Sequence, residues 1–151
     1  GGIPVPQRSP QRQKYRLDEL KRWSTFLNIK INIQPKYFPP KDPHLPAKFT
    51  IAADLLGVKL IFGQELLKYV WCDEKDISDE KNIEEVSKMC NLDFKELSLL
   101  AKSVKVSKIY KDNTEEAVAK NVFGAPTYIY NNELFWGQDR LDFLERALKN
   151  S

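Results

Sequence analysis

The chain has 151 residues, with 24 basic and 21 acidic side chains and a formal net charge of +3, enough for one domain with its own core. The charges are mixed, and no basic stripe is interleaved with aromatics, which argues against a dedicated nucleic-acid binder. The longest apolar run, Leu55 to Phe62, is interrupted by Lys59; nothing approaches the roughly 20 apolar residues that span a bilayer, and no secretory signal is recognisable, so a cytoplasmic domain is expected.

In chain order, the opening Gly1-Gly2-Ile3-Pro4-Val5-Pro6 reads as the interior of a loop. Ser9-Pro10 then predicts a helix start, with Ser9 as N-cap and Pro10 at the first helical position. Leu20, Trp23 and Leu27, flanked by Tyr15 and Phe26, predict an amphipathic helix over 10–27. Ile29, Ile31 and Ile33 alternate with Lys30 and Asn32, the pattern of a half-buried strand. Residues 34–46 carry five prolines and predict a stiff, ordered loop.

From Ala47 to Trp71 the pattern is helical, with Gly57 placed to divide two helices. Ser78-Asp79-Glu80 predicts the next helix, with Ile83, Val86 and Met89 inward. Asp93 caps a short helix holding Phe94, Leu97 and Leu100, and a further helix is predicted over about 106–120, with a restart at Asn113. Thr127–Tyr130 and Glu133–Trp136 read as strands separated by Asn131-Asn132, a hairpin with a two-residue primed turn. Gly137-Gln138-Asp139 leads into a terminal helix with Leu141, Leu144 and Leu148 inward. The expected organisation is an N-terminal loop, helix and proline-rich segment over 1–46, a helical domain over 47–120, and the hairpin with its helix over 121–151. A lone hairpin is marginal, and only Ile29–Ile33 offers another strand, so further strands are expected from outside this sequence.

Cys72 and Cys90 are 18 positions apart, in neither a C-x-x-C nor a metal-ligand spacing, and read as buried free thiols, with one disulfide as the alternative. A single histidine argues against a zinc site. His44, in the proline-rich loop, is a candidate acid or base but reads better as a solvated side chain. Arg8, Arg12, Lys14 and Arg16 could face an acidic substrate but read better as an exposed helix face, and Trp23, Phe62 and Trp71 read as core rather than a cofactor box.

Two segments carry more chemistry. In Val122-Phe123-Gly124-Ala125-Pro126-Thr127, a proline stands at a strand entry. A cis bond there turns the preceding N–H and C=O away from the ladder, open to the main chain of an extended ligand; an ordinary trans proline is the competing reading. In Gly137-Gln138-Asp139-Arg140, a helix start offers N–H donors to a carboxylate, and Asp139 offers an acceptor to an ammonium group. Together they suit the α-amino-acid end of a ligand, with simple helix capping by Asp139 as the alternative.

The run Phe123-Gly124-Ala125-Pro126-Thr127 through Trp136-Gly137-Gln138-Asp139-Arg140 to Leu148 resembles the C-terminal signature of the 2-hydroxychromene-2-carboxylate isomerase family. That family is similar to kappa-class glutathione transferases and, more distantly, to DsbA-type oxidoreductases. Val70 to Asp93, and Pro10 to Trp23 with the Phe38-Pro39-Pro40 loop, resemble its helical region. The resemblance implies an α/β, thioredoxin-like fold with an inserted helical domain, a glutathione cofactor, a small aromatic substrate and a homodimer. It implies that Pro126 is a cis-proline, that the Ala125 backbone pairs with the cysteinyl part of glutathione, and that Gln138 and Asp139 hold its γ-glutamyl end. Ser9 would add a weaker backbone contact.

Members of that family begin with a strand and a Ser-Pro-x-x-Tyr-type turn whose serine meets the glutathione sulfur. Nothing ahead of Ser9-Pro10 matches it, so the first β-α-β unit and the catalytic serine are expected to lie outside this sequence. The asparagine usual near Gly1-Gly2 is also replaced, by Gly2 or Ile3. The function implied is a glutathione-dependent isomerase or kappa-type transferase acting on an unsaturated aromatic compound. The alternatives are a DsbA-like thiol–disulfide oxidoreductase, for which the cysteine spacing is wrong, and a non-catalytic thioredoxin-like binding module.

Overall fold

A computed structural model describes residues 3–150; the Gly1-Gly2 part of the expected opening loop lies outside them. One compact unit spans Ser9–Lys111, and the described residues before it and from Asp112 onward form the other.

The helical unit opens with α1, Pro10–Leu27, bounded as its caps dictate. Ser9 Oγ accepts from the Arg12 N–H at 3.4 Å, and Asn28 closes the helix in the left-handed region. None of α1's residues is fully buried, and Phe26 is 78% exposed. The strand expected at Ile29–Ile33 is not formed, because a strand exists only through a ladder partner and none is present among the described residues. The segment is tied instead to the end of the third helix: the Asn32 N–H donates to the Trp71 carbonyl at 2.6 Å, and the Cys72 thiol meets the Lys30 carbonyl at 3.1 Å.

The proline-rich loop ends earlier than expected. Helix α2 runs His44–Leu55 and takes in Pro46, which sits in the first turn, where a missing N–H breaks no intrahelical bond. His44 is thus a helix residue rather than a loop residue. Helix α3, Lys59–Trp71, follows after Gly57 at φ +79°. The N–H groups of Gly57 and Val58 reach back to the carbonyls of Asp54 and Ala53, the paired closure of a Schellman motif. Asn91 and Asn121 end α4 (Glu80–Met89) and α6 (Val104–Ala119) with the same geometry. Between them, Asp93 Oδ1 accepts from the Glu96 N–H at 2.8 Å and caps α5, Phe94–Ala101. Helix α6 is continuous, with no restart at Asn113.

The core of this unit is built by α2 to α6. Phe49, Phe62, Ile83, Val86, Leu97 and Val106 are all fully buried. On α4 the buried stripe runs Ile83, Val86, Ser87 and Cys90, a helical i, i+3, i+4, i+7 spacing. Met89 falls off that stripe and is 55% exposed, contrary to the expected inward face. Phe62 is core as expected, whereas Trp23 and Trp71 are half-buried. Both cysteines are free: burial raises the Cys90 thiol's pKa, while Cys72 is only half-buried. Across the α3–α4 contact, Tyr69, Lys75 and Glu85 form a polar cluster. The hydrogen bond from Lys75, then that from Tyr69, holds the Glu85 carboxyl below the usual range.

In the second unit, β1 (Thr127–Tyr130) pairs antiparallel with β2 (Glu133–Trp136) in the register Thr127 to Trp136 and Tyr130 to Glu133. Asn131 and Asn132 both have positive φ, +48° and +63°, the primed turn the sequence predicts. A 3-10 turn at Gln138–Arg140 leads into α7, Leu141–Lys149; another, at Val5–Gln7, replaces part of the expected opening loop. Phe135 is this unit's one buried large apolar residue among those described. Leu144 is half-buried, but Leu141 and Leu148, expected inward, are exposed: a two-stranded sheet is too narrow to cover the helix's apolar stripe. Among the described residues, no helix is long and apolar enough to cross a membrane.

Candidate functional site

The hairpin brings the two chemically informative segments to one end of the sheet. The Thr127–Trp136 pair is the last of the register, and beyond it the Gly137 N–H donates to the Pro126 carbonyl at 2.9 Å. Pro126 and Gly137 are therefore direct neighbours, with Ala125 on one side of the bond and Gln138-Asp139 on the other. Ala125, Pro126, Gln138 and Asp139 are all exposed.

The Ala125–Pro126 peptide is cis. Among the described residues the Ala125 N–H has no acceptor and its C=O no donor, so this backbone pair can serve an extended ligand. The approach to it is rigid. Thr127 Oγ1 donates to the Gly124 carbonyl at 2.5 Å. Trp136 lies so close over Gly124 that an added Cβ would stand 2.5 Å from the indole nitrogen. Phe123 meets the same indole edge-on, with centroids 4.9 Å apart. Gly124 and Trp136 are thus supporting residues that the sequence analysis did not assign; the small residue in Phe-Gly-Ala-Pro was the available signal.

On the other side, Gly137 has φ +110°, a conformation that disfavours any side chain. A Cβ there would collide with Asp139 Oδ1, so glycine is what allows that carboxylate its place. Asp139 does not cap α7: the 3-10 turn intervenes, and α7's N-cap position is Arg140, with no side-chain cap bond. Instead Arg140 pairs with Asp139 Oδ2 at 3.0 Å and with the Asp139 carbonyl at 3.1 Å. Arg140 is the other residue that sequence reasoning left without a role. An exposed carboxylate beside a paired guanidinium is the complement of a ligand with both ammonium and carboxylate.

Ser9 belongs to the helical unit, where its hydroxyl caps α1. A second cis peptide, Phe38–Pro39, lies in the proline-rich loop, and the sequence pattern does not single it out. Phe38 packs on Trp71 at 4.8 Å between centroids, with the Arg16 guanidinium about as far from each ring, 5.8 and 5.9 Å. Arg16 is therefore packed rather than simply solvated.

A two-stranded sheet ending in a cis-proline edge, with a helical unit lying in sequence ahead of it, is the arrangement of a mostly helical, thioredoxin-like protein. The chain belongs to the DSBA-like thioredoxin domain family, whose match spans residues 1–149. It is 26% identical over 135 residues to a 2-hydroxychromene-2-carboxylate isomerase of Sphingobium xenophagum, covering 89% of this chain and 67% of that protein. A protein of the same name from Pseudomonas putida is 44% identical over 39 residues, 26% of this chain and 19% of its own length. A solved structure of 2-hydroxychromene-2-carboxylate isomerase superposes with a TM-score of 0.74 at 22% identity, over 99% of this chain and 71% of that one. The fold expected from the resemblance is thus the fold observed.

Proposed function

We propose that this chain provides the glutathione-holding part of a glutathione-dependent isomerase of the 2-hydroxychromene-2-carboxylate type. The observation that carries this reading is the Gly137-to-Pro126 hydrogen bond, which sets an unpaired backbone edge beside an exposed carboxylate. A short extended peptide with a zwitterionic end matches both halves, and the relatives' names supply the reaction class.

The Ala125 N–H and C=O pair with the ligand's main chain. Asp139 accepts from the γ-glutamyl ammonium, and Gln138 binds at the same end. Gly137 keeps space for the Asp139 carboxylate, and Arg140 holds its other oxygen. Glutathione bound there would supply a thiolate for reversible addition to an unsaturated aromatic substrate, allowing rotation and isomerisation. No residue of this chain is assigned to the thiol.

The test is calorimetric titration of the chain with glutathione. Asp139→Ala is expected to weaken binding about tenfold, the scale of one charge-assisted hydrogen bond. Equal affinity for both proteins removes Asp139 from the site. Incubation with 2-hydroxychromene-2-carboxylate, with and without glutathione, tests the reaction. Turnover without the thiol overturns the cofactor assignment, and accumulation of a stable conjugate replaces the isomerase by a kappa-type transferase.

A further inference from the structure

The α3–α4 contact holds a group that the glutathione reading does not use. Met89 is the chain's one methionine. It ends α4 off the buried stripe and is exposed, so solvent reaches a side chain of the kind that fills gaps inside cores. Its sulfur is nonetheless engaged. The hydroxyl of the buried Tyr69 donates to Glu85 Oε2 at 3.1 Å and towards Met89 Sδ at 3.6 Å. Glu85 and Met89 are four residues apart on α4, one turn along the same face, and both meet that single hydroxyl.

One O–H proton thus stands between two acceptors of unequal strength. A thioether sulfur accepts weakly and a carboxylate strongly, so Glu85 takes the larger share. The Lys75 ammonium bonds the same Glu85 oxygen and lies 4.4 Å from the centre of the Tyr69 ring. Glu85 therefore has a second donor, and it can release the hydroxyl without being left unpaired.

We propose that Met89 is a site of oxidation by hydroperoxides, and that its sulfoxide draws the Tyr69 hydroxyl away from Glu85. The thioether sulfur attacks the terminal oxygen of the hydroperoxide, and an S–O bond forms as the O–O bond breaks. Sulfur loses two electrons and the peroxide gains them; the proton of the transferred oxygen moves to the other oxygen, which leaves as water or an alcohol. The new oxygen is a stronger acceptor than the sulfur it extends from. Because the sulfur already lies 3.6 Å from the hydroxyl, rotation about the terminal C–S bond brings that oxygen to the ordinary O–H···O distance of about 2.7–2.8 Å. The inference stands whether or not the hairpin end binds glutathione.

Methionine labelled with carbon-13 at its methyl group marks one position in this chain, so the NMR signal reports Met89 and neither cysteine. The full chain is treated with hydrogen peroxide under conditions that oxidise free methionine, then with dithiothreitol to restore any oxidised thiol. The thioether methyl signal is expected to give way to sulfoxide signals while the far-ultraviolet circular dichroism is kept. The two sulfoxide epimers are expected in unequal amounts, because one side of the sulfur faces Tyr69. Urea midpoints read the exchange of partners. Oxidation is expected to lower the midpoint of Tyr69→Phe by about 0.5 M more than that of the parent, the worth of one hydrogen bond, and to leave Met89→Leu unmoved. A thioether signal that survives the treatment, equal epimers, or an equal midpoint loss in parent and Tyr69→Phe would each overturn the proposal.

Discussion

Leu97 and Leu99 lie on the same short helix, α5, and offer an internally controlled test of where the helical unit keeps its stability. Leu97 is 0% exposed and packs in the core; Leu99 is 76% exposed. Truncation to alanine removes the same three carbons at both positions. At Leu97 the lost transfer free energy is about 2.4 kcal/mol, from ~0.8 kcal/mol per buried methylene. The residual cavity raises this to about 3 kcal/mol, within the range measured for buried leucines. At Leu99 the expected change is within about 0.5 kcal/mol. Urea unfolding followed by far-ultraviolet circular dichroism reads the difference. With a slope of about 2 kcal/mol per molar, Leu97→Ala lowers the midpoint by about 1.5 M and Leu99→Ala barely moves it. Equal midpoints for the two variants, or a loss below about 1 kcal/mol at Leu97, would refute the assignment of α5's inner face.

Three further outcomes are expected. Replacing Asn131 and Asn132 together by alanine costs about 1–2 kcal/mol per residue, because alanine gains nothing in the left-handed region; the near-ultraviolet signal of Trp136 reports hairpin loss, and an unchanged signal argues against the primed turn. Asp93→Ala weakens the helical unit by about 1 kcal/mol through loss of the α5 cap, and Asp93→Ser recovers most of it, as measured by urea midpoints. The Glu85 carboxyl is held below its usual range by Lys75 and then Tyr69, so its contribution is full above the ordinary glutamate pKa and is lost as pH falls through the depressed value. Stability profiles of the parent and Glu85→Gln proteins should converge on acidification, and parallel profiles would rule out the cluster.

The features legible in the sequence are those set by a few adjacent residues. Ser9-Pro10 marks the start of α1, Asp93 the start of α5, Gly57 the break between α2 and α3, and Asn131-Asn132 the turn. Each rests on a cap or a backbone angle within about four residues. The same locality made both halves of the candidate site visible, and the two-residue turn brought them together by fixing the register. Ile29–Ile33 carried a strand pattern without a partner, and hydrogen bonds to the end of α3 gave its backbone another place. Met89, Leu141 and Leu148 are apolar at helical spacing, but their burial depends on what lies opposite, which periodicity does not encode. The small size of Gly124 was visible in Phe-Gly-Ala-Pro, but its contact with Trp136 and the pairing of Arg140 with Asp139 depend on how the chain folds back, which local pattern does not encode.

The division of the chain also orders events during its synthesis. The Ser9–Lys111 unit is contiguous in sequence, and its core joins helices that are mostly neighbours along the chain, α2 with α3, α3 with α4, and α4 with α5. Such short-range closure is fast. A ribosome finishes this unit before it makes Thr127–Trp136, so the helices can collapse while the hairpin is still untranslated. The exposed Ala125–Pro126 edge is thus made only after the helical core that precedes it in the chain.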